Sequence, residues 1–465
     1  MTAVDPTVVR DVVVVLPGIM GSELLDAKGH PLWAVSAGAL ARAIHKLGGS
    51  LRRLTLPATL DAERPPDDVR PGRLVDSLHV IPGLWSPIVG YDGLLRFLRS
   101  PRFHLVEEVP GDADVLPNLI SFAYDWRLSC RYNGKRLAKE VVPALKRWRE
   151  QPGMKDAKLV LVGHSMGGLV ARWFAEQEGG AEYIRALITV GTPHRGSLSA
   201  LNTLANGIGP HIPWLHESLW NFARSLPSMY ELLPTYKCIA RPDGERAALS
   251  EVECPRIDPV MLGEATAFHK AINSPKAPEY PLYKVVGIRQ PTLTTARVEA
   301  GTITPYFDID GNNQGGDGTV PYLAALPEIE RLREVHEVAE QHGHLQGTRS
   351  VLDLLDGILS RQNIVWQDGP SEQLGVVMRD VWSTDEVPVL TVTEKPRDRR
   401  LVATIRDEFG HVVAEGVPVP PDGTAPLGRL GEGGYQVTVA PSVPGAHGKV
   451  SKAFVVLDPS NSGAS

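Results

Sequence analysis

Through the first 360 residues the chain alternates short β-branched apolar runs with longer stretches whose apolar positions recur every three or four residues. Val12 to Leu16 is an unbroken apolar run closed by Pro17-Gly18, the signature of a buried strand that ends in a turn. Leu119 to Ala123, Lys158 to Val162, Ala186 to Val190 and Tyr283 to Gly287 repeat the pattern. Between them, Lys135 to Trp148 puts Leu137, Val141, Leu145 and Trp148 on one helical face with Lys and Arg opposite. Leu169 to Gln177 and Val351 to Leu359 read as further helices. Such alternation predicts an α/β domain, a mostly parallel sheet covered by helices, over residues 1–365. From about 196 to 280 the β period gives way to Pro, Trp and amphipathic pieces such as Trp214 to Leu226, which predicts an inserted cap. Beyond residue 370 the runs Leu390–Thr393, Leu401–Ile405, Tyr435–Val439 and Phe454–Leu457 alternate with Pro/Gly turns. They predict a small all-β sandwich of immunoglobulin-like kind over 372–458, followed by a disordered tail, 459–465.

Composition narrows the functional classes. The 465 residues are 43% hydrophobic and 22% charged, so the chain folds, and its length suits two domains. A formal net charge of -6, with no Lys/Arg cluster interleaved with aromatics, argues against a nucleic-acid partner. No apolar run approaches the roughly 20 residues of a membrane-spanning helix. Asp5, Arg10 and Asp11 precede the first strand in place of a basic leader, so a cytoplasmic location is expected. Cys130, Cys238 and Cys254 are odd in number and show no CxxC spacing, which suits reduced thiols; a Cys238–Cys254 bridge is the alternative.

The chemistry centres on Gly163-His164-Ser165-Met166-Gly167-Gly168, set between an apolar strand and a helix. Alone, Gly-x-Ser-x-Gly is a weak string. In this setting it predicts a nucleophile elbow, a strained turn that exposes a serine hydroxyl at the strand's C-terminal end, as in α/β-hydrolases. A serine needs a base and a carboxylate to orient that base, and in this fold they follow in the order Ser, acid, His. Asp317, in the glycine-rich Gln314 to Pro321 loop, is the expected acid, with Asp308 and Asp310 as competitors. Asp308, Asp310 and Asn312 imitate the start of a calcium loop, but Asn313 and Thr319 stand where that loop has Gly and Glu, so no metal is expected. No cofactor is called for either. One of His342 and His344 is the base; His194 precedes the acid and is read as structural, and His164 as elbow packing. Oxyanion donors are expected from the N–H of Met166 and from the loop after the first strand, at Ile19, where a plain tight turn is the alternative.

Five stretches resemble the lecithin:cholesterol acyltransferase family, which includes lysosomal phospholipase A2 and phospholipid:diacylglycerol acyltransferases. They are Leu16 to Ser22, Ala123 to Leu128 with its Tyr-Asp-Trp-Arg string, Gly163 to Gly168, Leu226 to Pro234 with Tyr-Glu-Leu-Leu-Pro, and Gly316 to Val320. Order and rough spacing agree over residues 12 to about 360. The resemblance implies Ser165, Asp317 and His344 as the triad, His344-Leu345 matching the family's His-Leu pair. It also implies Ile19 and Met166 as oxyanion donors, Trp126 as an acyl-pocket residue, and lipid esters as acyl donors, met in transient contact with a membrane surface. The sequence shows no counterpart of the secreted members' signal peptide or cysteine-bridged lid, and Trp33 to Leu47 is expected to be the corresponding mobile element.

Two functional classes follow: an acyl-transfer enzyme, or lipase/esterase, working through Ser165, and an inactive hydrolase-fold binding protein whose sandwich recognises an unknown partner. The ordered triad favours the enzyme. Trp214, Leu215, Leu219, Trp220 and Phe222 would form an apolar wall that seats an alcohol acceptor, or else pack the cap on the sheet. Because every candidate site residue precedes position 370, a chain ending there is expected to stay soluble and active on short esters.

Overall fold

The computed structural model describes residues 9–33, 51–57, 67–76, 90–108, 116–207, 213–254, 256–274, 276, 278–299, 302–328, 335–361, 374–394, 400–443 and 448–460, without the side chains of residues 213–215 and 394. Trp33 apart, the expected mobile element at 33–47 lies outside these residues, as do positions 461–465 of the expected tail.

Six parallel strands form the central sheet: β1 (Val12–Leu16), β2 (Leu119–Ser121), β3 (Leu159–His164), β4 (Ile184–Val190), β5 (Leu282–Gly287) and β6 (Val335–Val338). Their order is β6-β5-β4-β3-β1-β2. Val12 pairs with Leu159 on one side of β1, and Val13 with Leu119 on the other. Alternate residues of a strand face opposite sides, and a strand covered on both sides reads as continuously apolar. Val12, Val14, Leu159 and Leu161 enter one core, and Val13, Val15, Val160 and Val162 a second.

Helices α1 (Asp92–Leu98), α2 (Cys130–Arg149), α3 (Met166–Gln177) and α8 (Arg349–Leu359) cover the sheet, α2 and α3 over the first core and α1 and α8 over the second. Ser129 caps α2 by accepting the Tyr132 N–H. Between β4 and β5 lie α4 (Leu198–Asn206), α5 (Pro213–Ser225), α6 (Pro227–Glu231) and α7 (Pro259–Ile272). A four-stranded sheet, joining Ile239–Ala240 and Arg246–Ala247 to Thr295–Glu299 and Thr302–Tyr306, adds strands that follow β5 to this region. Among the described residues no helix is long and apolar enough to cross a membrane. All three cysteines are free.

The C-terminal strands form two sheets. One joins β7 (Gly375–Val377), β9 (Val389–Glu394) and β12 (Thr424–Pro426). The other runs β8 (Val381–Ser383), β14 (Val450–Leu457), β13 (Gly433–Pro441), β10 (Leu401–Asp407), β11 (Val412–Val419). Apart from the parallel β8–β14 pair the strands are antiparallel, and the two sheets share a core that includes Leu390, Val392, Ile405, Val437 and Phe454. Successive residues of β14 serve two masters: Phe454 and Val456 face that core, while Val455 and Leu457 join the core of the α/β sheet. The C-terminal sheets are therefore packed into the first domain, which the placement of the candidate residues in sequence did not suggest.

Candidate active site

The candidate side chains converge at the carboxyl ends of the strands, where open α/β sheets place ligand sites. β3 ends in the elbow. Ser165 takes φ +53° and ψ −125°, a left-handed conformation that costs a non-glycine residue about 1–3 kcal/mol and persists only where the surroundings enforce it. They do: a Cβ on Gly167 would lie 2.4 Å from the Pro17 carbonyl oxygen, and one on Gly168 2.0 Å from Thr192 Oγ1. Only glycine lets α3 come this close to β1 and to the chain after β4.

Ser165 Oγ lies 2.8 Å from His342 Nε2, and His342 Nδ1 lies 2.7 Å from Asp317 Oδ2. All three are buried. Asp317 Oδ1 accepts the N–H groups of Thr319 (2.9 Å) and Val320 (2.7 Å), which leaves Oδ2 for the imidazole. A carboxylate only accepts, so Nδ1 carries the proton and the bare Nε2 accepts from the serine hydroxyl. The His342 N–H also donates to the Asp317 carbonyl (2.8 Å). Gly287 closes β5 beneath them, since a Cβ there would fall 2.3 Å from Asp317 Cβ.

The histidine that meets Ser165 is thus His342 and not His344, which the family's His-Leu pair implied. Residues 342–347 form a 3-10 turn, with three residues per turn, so side chains two positions apart diverge. His344 points to the C-terminal strand β13, where Gln436 Nε2 donates to its Nε2 at 2.8 Å. Burial, with Lys452 and Lys449 nearby, pushes its pKa down to about 3.

The other candidates are placed as follows. Asp308 and Asp310 belong to a hairpin turn, where Asp308 Oδ1 accepts the Gly311 N–H and Asp310 pairs with Arg246. His194 is buried between Arg172 and Thr189, and burial beside the guanidinium holds it well below the usual histidine range. Ile19 and Met166 are both buried, and among the described residues neither N–H has a hydrogen-bond partner. Gly18 lies against Ser165: a Cβ there would be 2.9 Å from Ser165 Cβ.

Trp126 is fully buried; its Nε1 donates to Ser22 O (3.0 Å) and its ring packs edge-on against Trp33 and Phe222. It braces the loop after β1, as do Trp33, donating to Met20 O, and Tyr124, whose hydroxyl donates to Pro17 O. Leu219 and Phe222 are core residues and Trp220 donates to Leu204 O, so these three pack the cap; the side chains of Trp214 and Leu215 lie outside the described residues.

Several residues at the site gave no signal in the sequence. Gln341 Nε2 donates to Gln290 Oε1 (2.9 Å) and to the Val376 carbonyl (3.1 Å), and Gln290 Oε1 also accepts the Val376 N–H (3.1 Å). Glu340 Oε1 accepts the N–H groups of Gln341 (2.9 Å) and Ser451 (3.0 Å). Burial raises the Glu340 pKa to about 7 against the lowering effect of those bonds and of Lys449. Tyr91, at the start of α1, holds both Gly18 and His164.

Residues 115–260 match the family model for lecithin:cholesterol acyltransferase. No curated protein matches the chain. Among solved structures, a chain of the Tle4–Tli4 complex is 16% identical, with 76% of this chain and 99% of that one covered and a TM-score of 0.48. The mature lipase BlEst2 of Bacillus licheniformis is 19% identical, covering 52% of this chain and 78% of its own, with a TM-score of 0.32. Phospholipase PlaB of Legionella pneumophila is 8% identical over 96% and 92%, with a TM-score of 0.28.

Proposed function

We propose that this chain, which carries a lecithin:cholesterol acyltransferase family domain on an α/β-hydrolase fold, is a serine-dependent enzyme that takes acyl groups from lipid esters. The observation that carries this reading is the unbroken line from Asp317 through His342 to Ser165 on a strained elbow. Support for lipid donors comes from the family match.

In the proposed reaction Ser165 Oγ attacks the ester carbonyl carbon while His342 Nε2 takes its proton. The negative charge gathers on the carbonyl oxygen, where the Ile19 and Met166 N–H groups are available to donate. As the intermediate collapses, the C–O bond to the leaving alcohol breaks and His342 returns the proton to that oxygen. The acyl group is now an ester of Ser165. An incoming water or alcohol gives its proton to His342 and attacks this ester; the bond from the acyl carbon to Ser165 Oγ then breaks, His342 returns the proton to Oγ, and either a fatty acid or a new ester is released. Asp317 remains ionised throughout and holds the imidazolium.

The test has two arms. A fluorophosphonate probe should label the native chain on Ser165 and leave Ser165→Ala unlabelled. With phospholipid vesicles as donor, added long-chain alcohol or diacylglycerol should divert acyl groups from free fatty acid into new ester, followed by mass spectrometry. Free fatty acid unchanged by any acceptor would identify a lipase, and a folded chain that is neither labelled nor active would refute the reading.

A further inference from the structure

His164, the residue before the nucleophile, is buried and makes two polar contacts. Its Nε2 lies 3.1 Å from the carbonyl oxygen of His342, and its Nδ1 lies 2.8 Å from the hydroxyl of Tyr91. That hydroxyl in turn accepts the Gly18 N–H at 2.8 Å. Only one arrangement of protons satisfies all three contacts. A carbonyl can only accept, so His164 Nε2 bears hydrogen; Nδ1 is then bare and accepts; the Tyr91 hydroxyl must donate to it, which leaves a lone pair for Gly18.

We propose that Tyr91 and His164 form a positioning relay that ties the loop bearing the Ile19 N–H to the backbone of His342, so that oxyanion donor, nucleophile and base are held in a single register. Neither side chain hydrogen-bonds to a reacting atom; the His164 ring lies against that of His342, 5.3 Å between centroids, and the polar contacts of both side chains run to backbone groups and to each other. The inference rests on the proposed triad.

Three observations make the relay more than packing. Its ends are two pieces of the site that lie outside the elbow, the loop after β1 and the turn after β6. Gly18 is the residue before Ile19, so fixing its N–H aims the next peptide, and a Cβ on Gly18 would sit 3.4 Å from both His164 Nδ1 and Ser165 Oγ. Finally, both side chains stay neutral: burial and the neighbouring His342 push His164 down to about 3, and burial raises the Tyr91 hydroxyl far above its usual range. The relay therefore keeps one direction of donation across the working pH range.

Tyr91→Phe removes one oxygen from a closed site and leaves the Gly18 N–H and His164 Nδ1 without partners. Misplacing reacting groups by about 1 Å costs on the order of 10²-fold, so the expected loss in kcat is about 10- to 100-fold. KM on a soluble ester should stay within about twofold, because ground-state binding does not pass through the relay. The fluorophosphonate labelling rate should fall in step with kcat. His164→Leu should lose at least as much, and His164→Gln should recover part, since an amide offers an N–H to the carbonyl and an oxygen to the hydroxyl. The Tyr91→Phe/His164→Leu double variant should be no slower than His164→Leu alone, because one chain is broken only once.

All rates are to be measured well below each variant's melting temperature, so that folded fraction does not enter. Native kcat in Tyr91→Phe, losses that multiply in the double variant, or a loss confined to KM would each overturn the relay while leaving the triad standing. A native chain that is folded but unlabelled would instead remove the triad, and the relay with it.

Discussion

Ser165 and His342 meet at one point but are held there by different means. The serine sits in a turn held by close backbone packing: Gly163, Gly167 and Gly168 permit the approach within the elbow and to Leu16, Pro17 and Thr192, and α3 begins at Met166. The histidine sits in a turn anchored from afar. Its neighbours Glu340 and Gln341 bond to Ser451, Gln290 and Val376, and His344 to Gln436, across separations of 111, 51, 35 and 92 residues. The proposed nucleophile is thus held by glycine-permitted packing against neighbouring strands, and the proposed base by side-chain polar contacts, most of them to the C-terminal sheets. Damage to the C-terminal sheets should therefore reach the base and spare the elbow.

The sharpest test of the base is the pair His342→Ala and His344→Ala. Removing the histidine of a serine triad costs up to about 10⁶ in kcat, so His342→Ala should abolish turnover of a soluble ester. His344→Ala loses one contact to Gln436 and should keep most of it. Equal losses in both, or the reverse order, would show that His342 is not the base. Asp317→Asn should cost roughly 10⁴, the scale seen when the carboxylate no longer fixes the tautomer.

A chain ended near residue 370 comes next. Truncation would expose the apolar groups that Val455 and Leu457 cover and strip Gln341 and Glu340 of their partners on β7 and β14. Such exposed surface favours aggregation. We expect the truncated chain to be poorly soluble, and any soluble fraction to have lost most ester turnover, as read by gel filtration and initial rates. A well-behaved, fully active fragment would show that the distant anchors are dispensable.

The same division explains what the sequence made legible. The apolar runs named the sheet strands β1 to β5, and the glycine pattern around Ser165 marked the elbow, because both are local effects of side-chain size and period. Asp317 stood out through the glycines around it. Between His342 and His344 local sequence has no preference: both are histidines of one turn, His342 buried and His344 half-buried, and the choice is made by where Asp317 and Gln436 come to lie. The small strand β6 and the anchor residues Gln290 and Tyr91 were hidden for the same reason, their roles being defined by partners far along the chain.

Gln341→Ala probes the distant anchor without removing a domain. It leaves Gln290 Oε1 with the Val376 N–H alone and the Val376 carbonyl with no donor from this side chain. Unmade buried hydrogen bonds cost about 1–3 kcal/mol, so a lowered melting temperature is expected, together with a kcat loss of about tenfold. Gly167→Ala probes the elbow in the same way and should be worse, since its new Cβ meets backbone that cannot yield. If Gln341→Ala proved the more damaging, the base turn would be the more brittle half.

The smallest expected effect is one of pH, and it belongs to the base side alone. Glu340 is buried, and its pKa is raised from 4.5 to about 7, chiefly by desolvation. A carboxyl whose folded pKa exceeds its unfolded value binds more protons when folded, so its contribution to stability is complete below about 4.5 and is lost as pH rises through about 7. Lys449 opposes the shift from the segment before β14, and the backbone N–H groups of Ser451 and Gln341 bond to the same oxygen, so ionisation leaves a charge that is hydrogen-bonded but poorly hydrated. Glu340→Gln keeps an oxygen for both N–H groups and removes the titration. The native chain should thus lose stability relative to Glu340→Gln between pH 5 and pH 8, by at most a few kcal/mol. Glu231, whose pKa burial also raises to about 7, titrates equally in both chains and cancels in the difference. Melting temperatures of the two chains across that range would decide the matter: parallel curves would mean that the Glu340 proton plays no part in holding the base turn to β14.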